Sequence, residues 1–228
     1  MNELYKNFNG EAPKIDPKDA VMLLIDHQSG LFQCINDMDF KRVRDHAIAL
    51  AEAATLAGIP VITTASVPKS PNGPLIPEIH QAAPHAVYVP RRGEINSWDC
   101  PAFVEAVKKT GRKTLIIAGT VTSVCLAFPA ISAVRDGYKV FALPDASGTY
   151  SKMAEEISLA RMVQAGVIPI DTSSAIAEIQ QTWHRDDWEK WANIWARIFT
   201  NYGLLLESYA KAVEVTKTGE PMDSLRED

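Results

Sequence analysis

The chain has 228 residues, 46% of them hydrophobic and 22% charged, with a formal net charge of −5. That supplies one large globular domain with a sizeable core. The negative balance and the scatter of Lys and Arg exclude a polyanion-binding surface, so no nucleic-acid partner is expected, and no apolar run reaches the ~18–20 residues that span a bilayer.

The opening Met1-Asn-Glu-Leu-Tyr-Lys6 lacks an apolar signal core. Three widely spaced cysteines (Cys34, Cys100, Cys125) form no CxxC pair. Reduced thiols and a cytoplasmic location are therefore expected. Residues 20–25 are a continuous apolar run that predicts a buried parallel strand ending at Asp26. A helical period over 39–57 closes at Gly58, and a second strand is predicted over 59–64. Residues 66–77, rich in Pro, Gly and Asn, predict a long loop. A short strand over 86–89 follows, then a helix over 101–110 with Pro101 in its first turn. Residues 114–118 predict a fourth strand, and a helix opens at Val124 and ends near Gly137. Strand 139–143, helix 154–165 and strand 167–170 complete an alternation that implies a doubly wound, mostly parallel six-stranded sheet.

The last part differs. Trp183, Trp188, Trp191, Trp195, Phe199, Tyr202 and Tyr209 recur at helical spacing, a composition enriched in subunit contacts. The predicted organisation is an α/β domain over 14–182, a helical extension over 183–213 that carries oligomer contacts, and a flexible tail over 214–228.

Cys125 falls where a strand gives way to a helix, at the carboxyl edge of the sheet, where ligand clefts form. A helix start lowers a thiol's pKa, which makes Cys125 a candidate nucleophile and the thiol expected to react first with iodoacetamide. A free cysteine packed in the core is the structural alternative. Asp26 ends a strand at the same edge and can act as general base. Arg91 or Arg92, after the third strand, can supply a cation beside both. Gly119-Thr-Val-Thr-Ser123 can turn backbone N–H groups toward an oxyanion.

Asp26-His-Gln28, Arg91-Arg-Gly-Glu-Ile-Asn-Ser-Trp-Asp99 and Gly119-Thr-Val-Thr-Ser-Val-Cys125, in this order and spacing, resemble the isochorismatase-like cysteine hydrolase superfamily. The likeness is closest to its YcaC-like subgroup. Residues 70–78, Phe128-Pro-Ala-Ile-Ser-Ala133 and Asp145-Ala-Ser-Gly-Thr149 extend it over about 14–209. The resemblance implies a three-layer α/β/α Rossmann-like fold and an Asp–basic–Cys triad. By position, Asp26 is the base, Arg91 the basic residue and Cys125 the nucleophile. It also implies a cis peptide at Thr120–Val121, an oxyanion hole from the Val121 and Cys125 N–H groups, and an octamer of two tetrameric rings.

Nicotinamidases of the superfamily carry an Asp-x-His metal motif after the second strand. Residues 63–72 hold no His, Asp or Glu, so neither metal nor cofactor is expected. Gln28, Asn96 and Trp98, with Phe32, are candidate pocket-lining residues for a small-molecule substrate, a structural role being the alternative for each. The expected activity is cleavage of the C–N bond of a small non-peptide amide through a thioester. Isochorismatase-type vinyl-ether hydrolysis and a non-catalytic oligomeric scaffold are the alternatives.

Overall fold

Six parallel strands lie in the order β3-β2-β1-β4-β5-β6, in a computed structural model that describes residues 13–219. They are β1 (Ala20–Ile25), β2 (Val61–Ser66), β3 (Val87–Arg91), β4 (Thr114–Gly119), β5 (Lys139–Ala142) and β6 (Ile168–Pro169). β1 and β4 pair over their full lengths, from Ala20 opposite Thr114 to Ile25 opposite Gly119.

Both faces of β1 are buried, as its unbroken apolar run requires. Alternate residues divide between two cores. Ala20, Met22 and Leu24 join the core under α1 (Phe40–Leu56), α6 (Thr172–Gln180) and α7 (Trp188–Ile198), while Val21, Leu23 and Ile25 join the one under α3 (Pro101–Lys109), α4 (Ala127–Arg135) and α5 (Lys152–Gln164). Helices on both faces of a parallel sheet make the expected three-layer α/β/α fold.

Strand starts moved where proline intervened. β2 begins at Val61 rather than residue 59, because Pro60 has no N–H to give the ladder. β3 continues through Pro90 to Arg91, which a sheet edge tolerates. Two short helices within or beside regions read as loop, α2 (Pro77–Ala82) and α6, were not expected. α1 matches its expected span and is capped by Asp39, which accepts the Lys41 N–H at 2.9 Å.

The aromatic segment divides differently from the single stretch expected. α7 and α8 (Thr200–Thr218) meet at Phe199. Trp191 is wholly buried, and Trp195 packs on Trp183 and Phe199 at ring distances of 6.2 and 5.6 Å. Trp191, with Trp195 packed beside it, thus closes the chain's own core, while Trp183 and Phe199 remain 46% and 43% exposed. Trp188, Leu204, Leu205 and Tyr209 remain 47–69% exposed. The tail expected from 214 is helical to Thr218; residues 220–228 lie outside the described residues. Among the described residues, no helix is long and apolar enough to cross a membrane.

Candidate active site

Sheet order reverses between β1 and β4, so the segments leaving those strands part and open a crevice at their carboxyl ends. Asp26 follows β1 and the turn of residues 119–126 follows β4. Asp26 sits at φ 56°, a left-handed conformation uncommon for a residue with a side chain. Its carboxylate is 1% exposed and accepts the Ser66 N–H at 3.0 Å.

Arg91, last in β3, is 3% exposed and opposes Ser66 in the sheet. Its Nη2 donates to both carboxylate oxygens of Asp26. Nε donates to Thr64 Oγ1 at 3.1 Å, and Nη1 donates to the Glu94 and Ile95 carbonyls. All five donors of the guanidinium fork are therefore engaged within the chain. Arg92 is exposed, because successive strand residues point to opposite sides. The structure thus brings Asp26, Arg91 and Cys125 together and leaves Arg92 outside.

Cys125 lies inside a π-helical turn, Thr122–Leu126, and α4 begins only at Ala127. Gly119 permits this approach: a Cβ there would stand 2.7 Å from the Cys125 carbonyl oxygen. Ser147 fixes the strand end, accepting the Gly119 N–H at 3.0 Å and donating to the Leu143 carbonyl at 2.7 Å. The Gly148 carbonyl accepts both the Thr122 N–H (2.7 Å) and its hydroxyl (3.1 Å).

Burial pushes the Cys125 thiol well above its usual range. The Asp26 charge and the hydrogen bond from the thiol to that carboxylate push the same way; the Val121 N–H and the Arg91 charge oppose them without reversing the sign. This overturns the lowered pKa expected from a helix start. Cys125 is not at a free helix N-terminus: its N–H donates to the Val121 carbonyl at 2.9 Å, and the charge that acts on it most strongly is a carboxylate. The expectation that it reacts first with iodoacetamide loses its basis, since Cys34 is the exposed thiol.

A direct test follows from the sign. Asp26→Asn removes the charge that opposes ionisation, so the thiol pKa should fall and Cys125 should alkylate faster at neutral pH. Arg91→Ala should move it upward. Peptide-resolved iodoacetamide rates against pH check both, and an unchanged or raised pKa in Asp26→Asn would refute the account.

The Thr120–Val121 peptide is cis. The Val121 N–H faces the sulfur, but the Cys125 N–H is already engaged, so only half of the expected oxyanion pair is available in this conformation. The residues expected to line the pocket each have hydrogen-bond or packing partners within the chain. Gln28 clamps the loop after β2, accepting the Ser66 N–H at 3.0 Å and donating to the Ser66 and Gly73 carbonyls at 3.1 and 2.5 Å. Asn96 caps a short turn by accepting the Trp98 N–H at 3.1 Å and donates to Ser132 Oγ at 3.1 Å. Trp98 is 6% exposed, packed edge-on to Phe103 and Tyr138, with Nε1 donating to Asp136 at 2.8 Å. Asp136 closes the far end of α4, so Trp98 belongs to the core rather than to the cleft. Phe32 is also buried, 6.1 Å from the His27 ring.

His27 is fully buried; burial lowers its pKa to about 4, against the hydrogen bond of Nε2 to the Ala146 carbonyl. Sequence reasoning missed Ser66 and Thr64, whose contributions are a backbone N–H and a single hydroxyl with no motif of their own, and it gave Ser147 no role although the residue falls within the quoted segment 145–149. Among the described residues no group of three or more His, Cys, Asp or Glu side chains is placed to hold a metal ion. An apolar hollow of about 700 Å³, lined by Pro60, Val61, Val87 and Ala106, lies at the amino ends of β2 and β3, away from Cys125.

The isochorismatase domain model matches residues 20–174. The chain belongs to the isochorismatase family. Within it the chain is YcaC-like: it is 40% identical over 196 residues to the probable hydrolase YcaC of Escherichia coli, covering 86% of this chain and 94% of that one. The structure of YcaC from Pseudomonas aeruginosa, with hexane-2,5-diol and covalent acrylamide, superposes with a TM-score of 0.83 at 40% identity, over 86% of this chain and 97% of that one. The E. coli YcaC structure, described as an octameric hydrolase of unknown specificity, gives a TM-score of 0.83 at 40% identity, over 87% and 97%.

Proposed function

We propose that this YcaC-like chain is a hydrolase that cleaves the C–N bond of a small non-peptide amide through a thioester on Cys125. The supporting observation is the hydrogen bond from the Cys125 thiol to a buried carboxylate that Arg91 holds in place. A thiol with a raised pKa is a poor nucleophile until a base removes its proton as it attacks, and Asp26 is positioned for that transfer. The sulfur bonds to the carbonyl carbon while its proton passes to Asp26. The tetrahedral oxyanion takes the Val121 N–H and, once the turn releases it, the Cys125 N–H. The C–N bond breaks and the amine leaves with the proton from Asp26. Water then attacks the thioester, gives a proton to Asp26, and releases the acid as that proton returns to the sulfur. Arg91 is a positioning residue: its donors hold Asp26 and the residues 94–95 backbone and leave none for substrate.

Covalent acrylamide on the P. aeruginosa relative is in keeping with a nucleophile in that protein. Screening the purified chain against small amides, carbamates and isochorismate, with Cys125→Ala as control, tests the reading. Turnover of isochorismate alone would favour vinyl-ether cleavage, and no turnover at all would favour the scaffold.

The proposal includes assembly as an octamer of two tetrameric rings. Its supports are the octameric E. coli relative and the exposed Trp188, Leu204, Leu205 and Tyr209, which bury well between subunits. Light scattering at micromolar protein should report the eight-chain mass. A monodisperse, active monomer would overturn the assembly.

A further inference from the structure

β5 ends at Ala142, opposite Ile117 and short of the end of β4 at Gly119. The ladder between them runs on for one more bond, in which the Leu143 N–H donates to the Ile117 carbonyl at 2.9 Å. In a parallel ladder the next rung would carry the Gly119 N–H to the Leu143 carbonyl. That rung does not close directly. Ser147, wholly buried, interposes its hydroxyl: Oγ accepts the Gly119 N–H at 3.0 Å and donates to the Leu143 carbonyl at 2.7 Å. The hydroxyl therefore holds the end of β4 off β5 by the width of one oxygen atom.

The segment that carries this hydroxyl is itself anchored on three sides. Asp145 accepts the Thr172 N–H and the Thr172 hydroxyl, each at 2.9 Å. His27 Nε2 donates to the Ala146 carbonyl at 2.9 Å, and the Thr149 N–H donates to Asp37 at 2.8 Å. Gly148 stands at φ 65°, and a Cβ there would lie 2.9 Å from the Ile35 side chain. Its carbonyl takes both the N–H and the hydroxyl of Thr122. Two consecutive residues thus grip the turn on either side of Val121: Ser147 at Gly119 before it, Gly148 at Thr122 after it. Between those grips lies the Val121 N–H, which faces the Cys125 sulfur.

We infer that Ser147 is a positioning residue for the oxyanion donor: its hydroxyl, inserted in the last rung between β4 and β5, sets where the Val121 N–H points. The effect on turnover rests on the proposed amide chemistry; the effect on the thiol does not. In Ser147→Ala the Gly119 N–H and the Leu143 carbonyl can meet directly, which leaves neither group unpaired but draws the end of β4 toward β5. Urea unfolding should therefore stay near wild type. Amide hydrolysis should lose about a hundredfold in kcat with KM little changed, the scale of a displaced oxyanion donor. Peptide-resolved iodoacetamide rates should show Cys125 ionising at higher pH, because the N–H that favours its thiolate has moved while Asp26 and Arg91, the charges that act on the sulfur, remain. A serine with only a structural role would lower the urea midpoint and leave kcat and the alkylation profile alone. Thr122→Val loosens the other grip while keeping the shape and the N–H bond to Gly148, so it should shift both readouts the same way, with a kcat loss of about tenfold. A folded Ser147→Ala with a wild-type alkylation profile, or with kcat within about threefold of wild type, would overturn the inference. Should Ser147→Ala not fold, a wild-type profile in Thr122→Val would overturn it instead. If the wild-type chain turns over no amide, the proposed function fails, and the alkylation profile still decides the role of Ser147.

Discussion

Replacing Cys125 with alanine is expected to lower hydrolysis of any amide the chain turns over by about ten-thousand-fold or more, because removal of a covalent nucleophile leaves only binding and oxyanion stabilisation. The loss should fall on kcat, since Cys125 is the attacking atom. Acid-quenched wild-type protein, mapped by mass spectrometry, should carry the acyl part of the substrate on the Cys125 peptide. Slow release of that adduct after rapid loss of the amine would show the two-step course expected of a thioester. Turnover without an adduct, or a Cys125→Ala variant within tenfold of wild type, would sink the mechanism. Asp26→Asn provides the complementary test. Its thiol should ionise more readily, yet it should turn over amide poorly, because no base remains to accept the thiol proton or to activate water. A variant that alkylates faster and hydrolyses slower separates thiolate formation from catalysis.

Arg91→Ala should be the most destabilising single change at the site. Asp26 is 1% exposed, and loss of its cation leaves a buried carboxylate with only the Ser66 N–H and the thiol as partners. Removing one member of a buried ion pair costs about 3–5 kcal/mol. Arg91→Ala also frees the carbonyls of Glu94 and Ile95, which now accept from Nη1. The double variant Asp26→Asn/Arg91→Ala should lose clearly less than the sum of the two single changes, because neither charge is then stranded. Urea unfolding of all four proteins measures the coupling. Additive losses, or an Arg91→Ala cost below about 1 kcal/mol, the size of an exposed pair, would show that the ion pair does not hold the site. Arg91→Lys should fall between: it keeps the charge but lacks the planar fork that reaches Asp26, Thr64 and the loop together.

Local pattern was enough for most of the architecture. An unbroken apolar run can only be buried on both faces, so β1 and β4 were legible as central parallel strands. The cap and period of α1 were legible because they depend on residues within a turn of one another. The motif order around Asp26, Arg91 and Cys125 was equally plain, and the sheet's switch point brings the three to one place.

What the pattern could not carry was environment. Gln28, Asn96 and Trp98 are of types that line pockets, but each is engaged by partners distant in sequence: Ser66 and Gly73, Ser132, and Asp136. The sign of the Cys125 shift could not be read from a helix start, because it is the difference between burial with a neighbouring carboxylate and the weaker pull of one N–H and one cation. Strands and helices follow from side-chain period and short-range hydrogen bonds, which the amino-acid order contains directly. The state of the thiol follows from depth and from distances to charges on other strands, and those exist only once the sheet has closed.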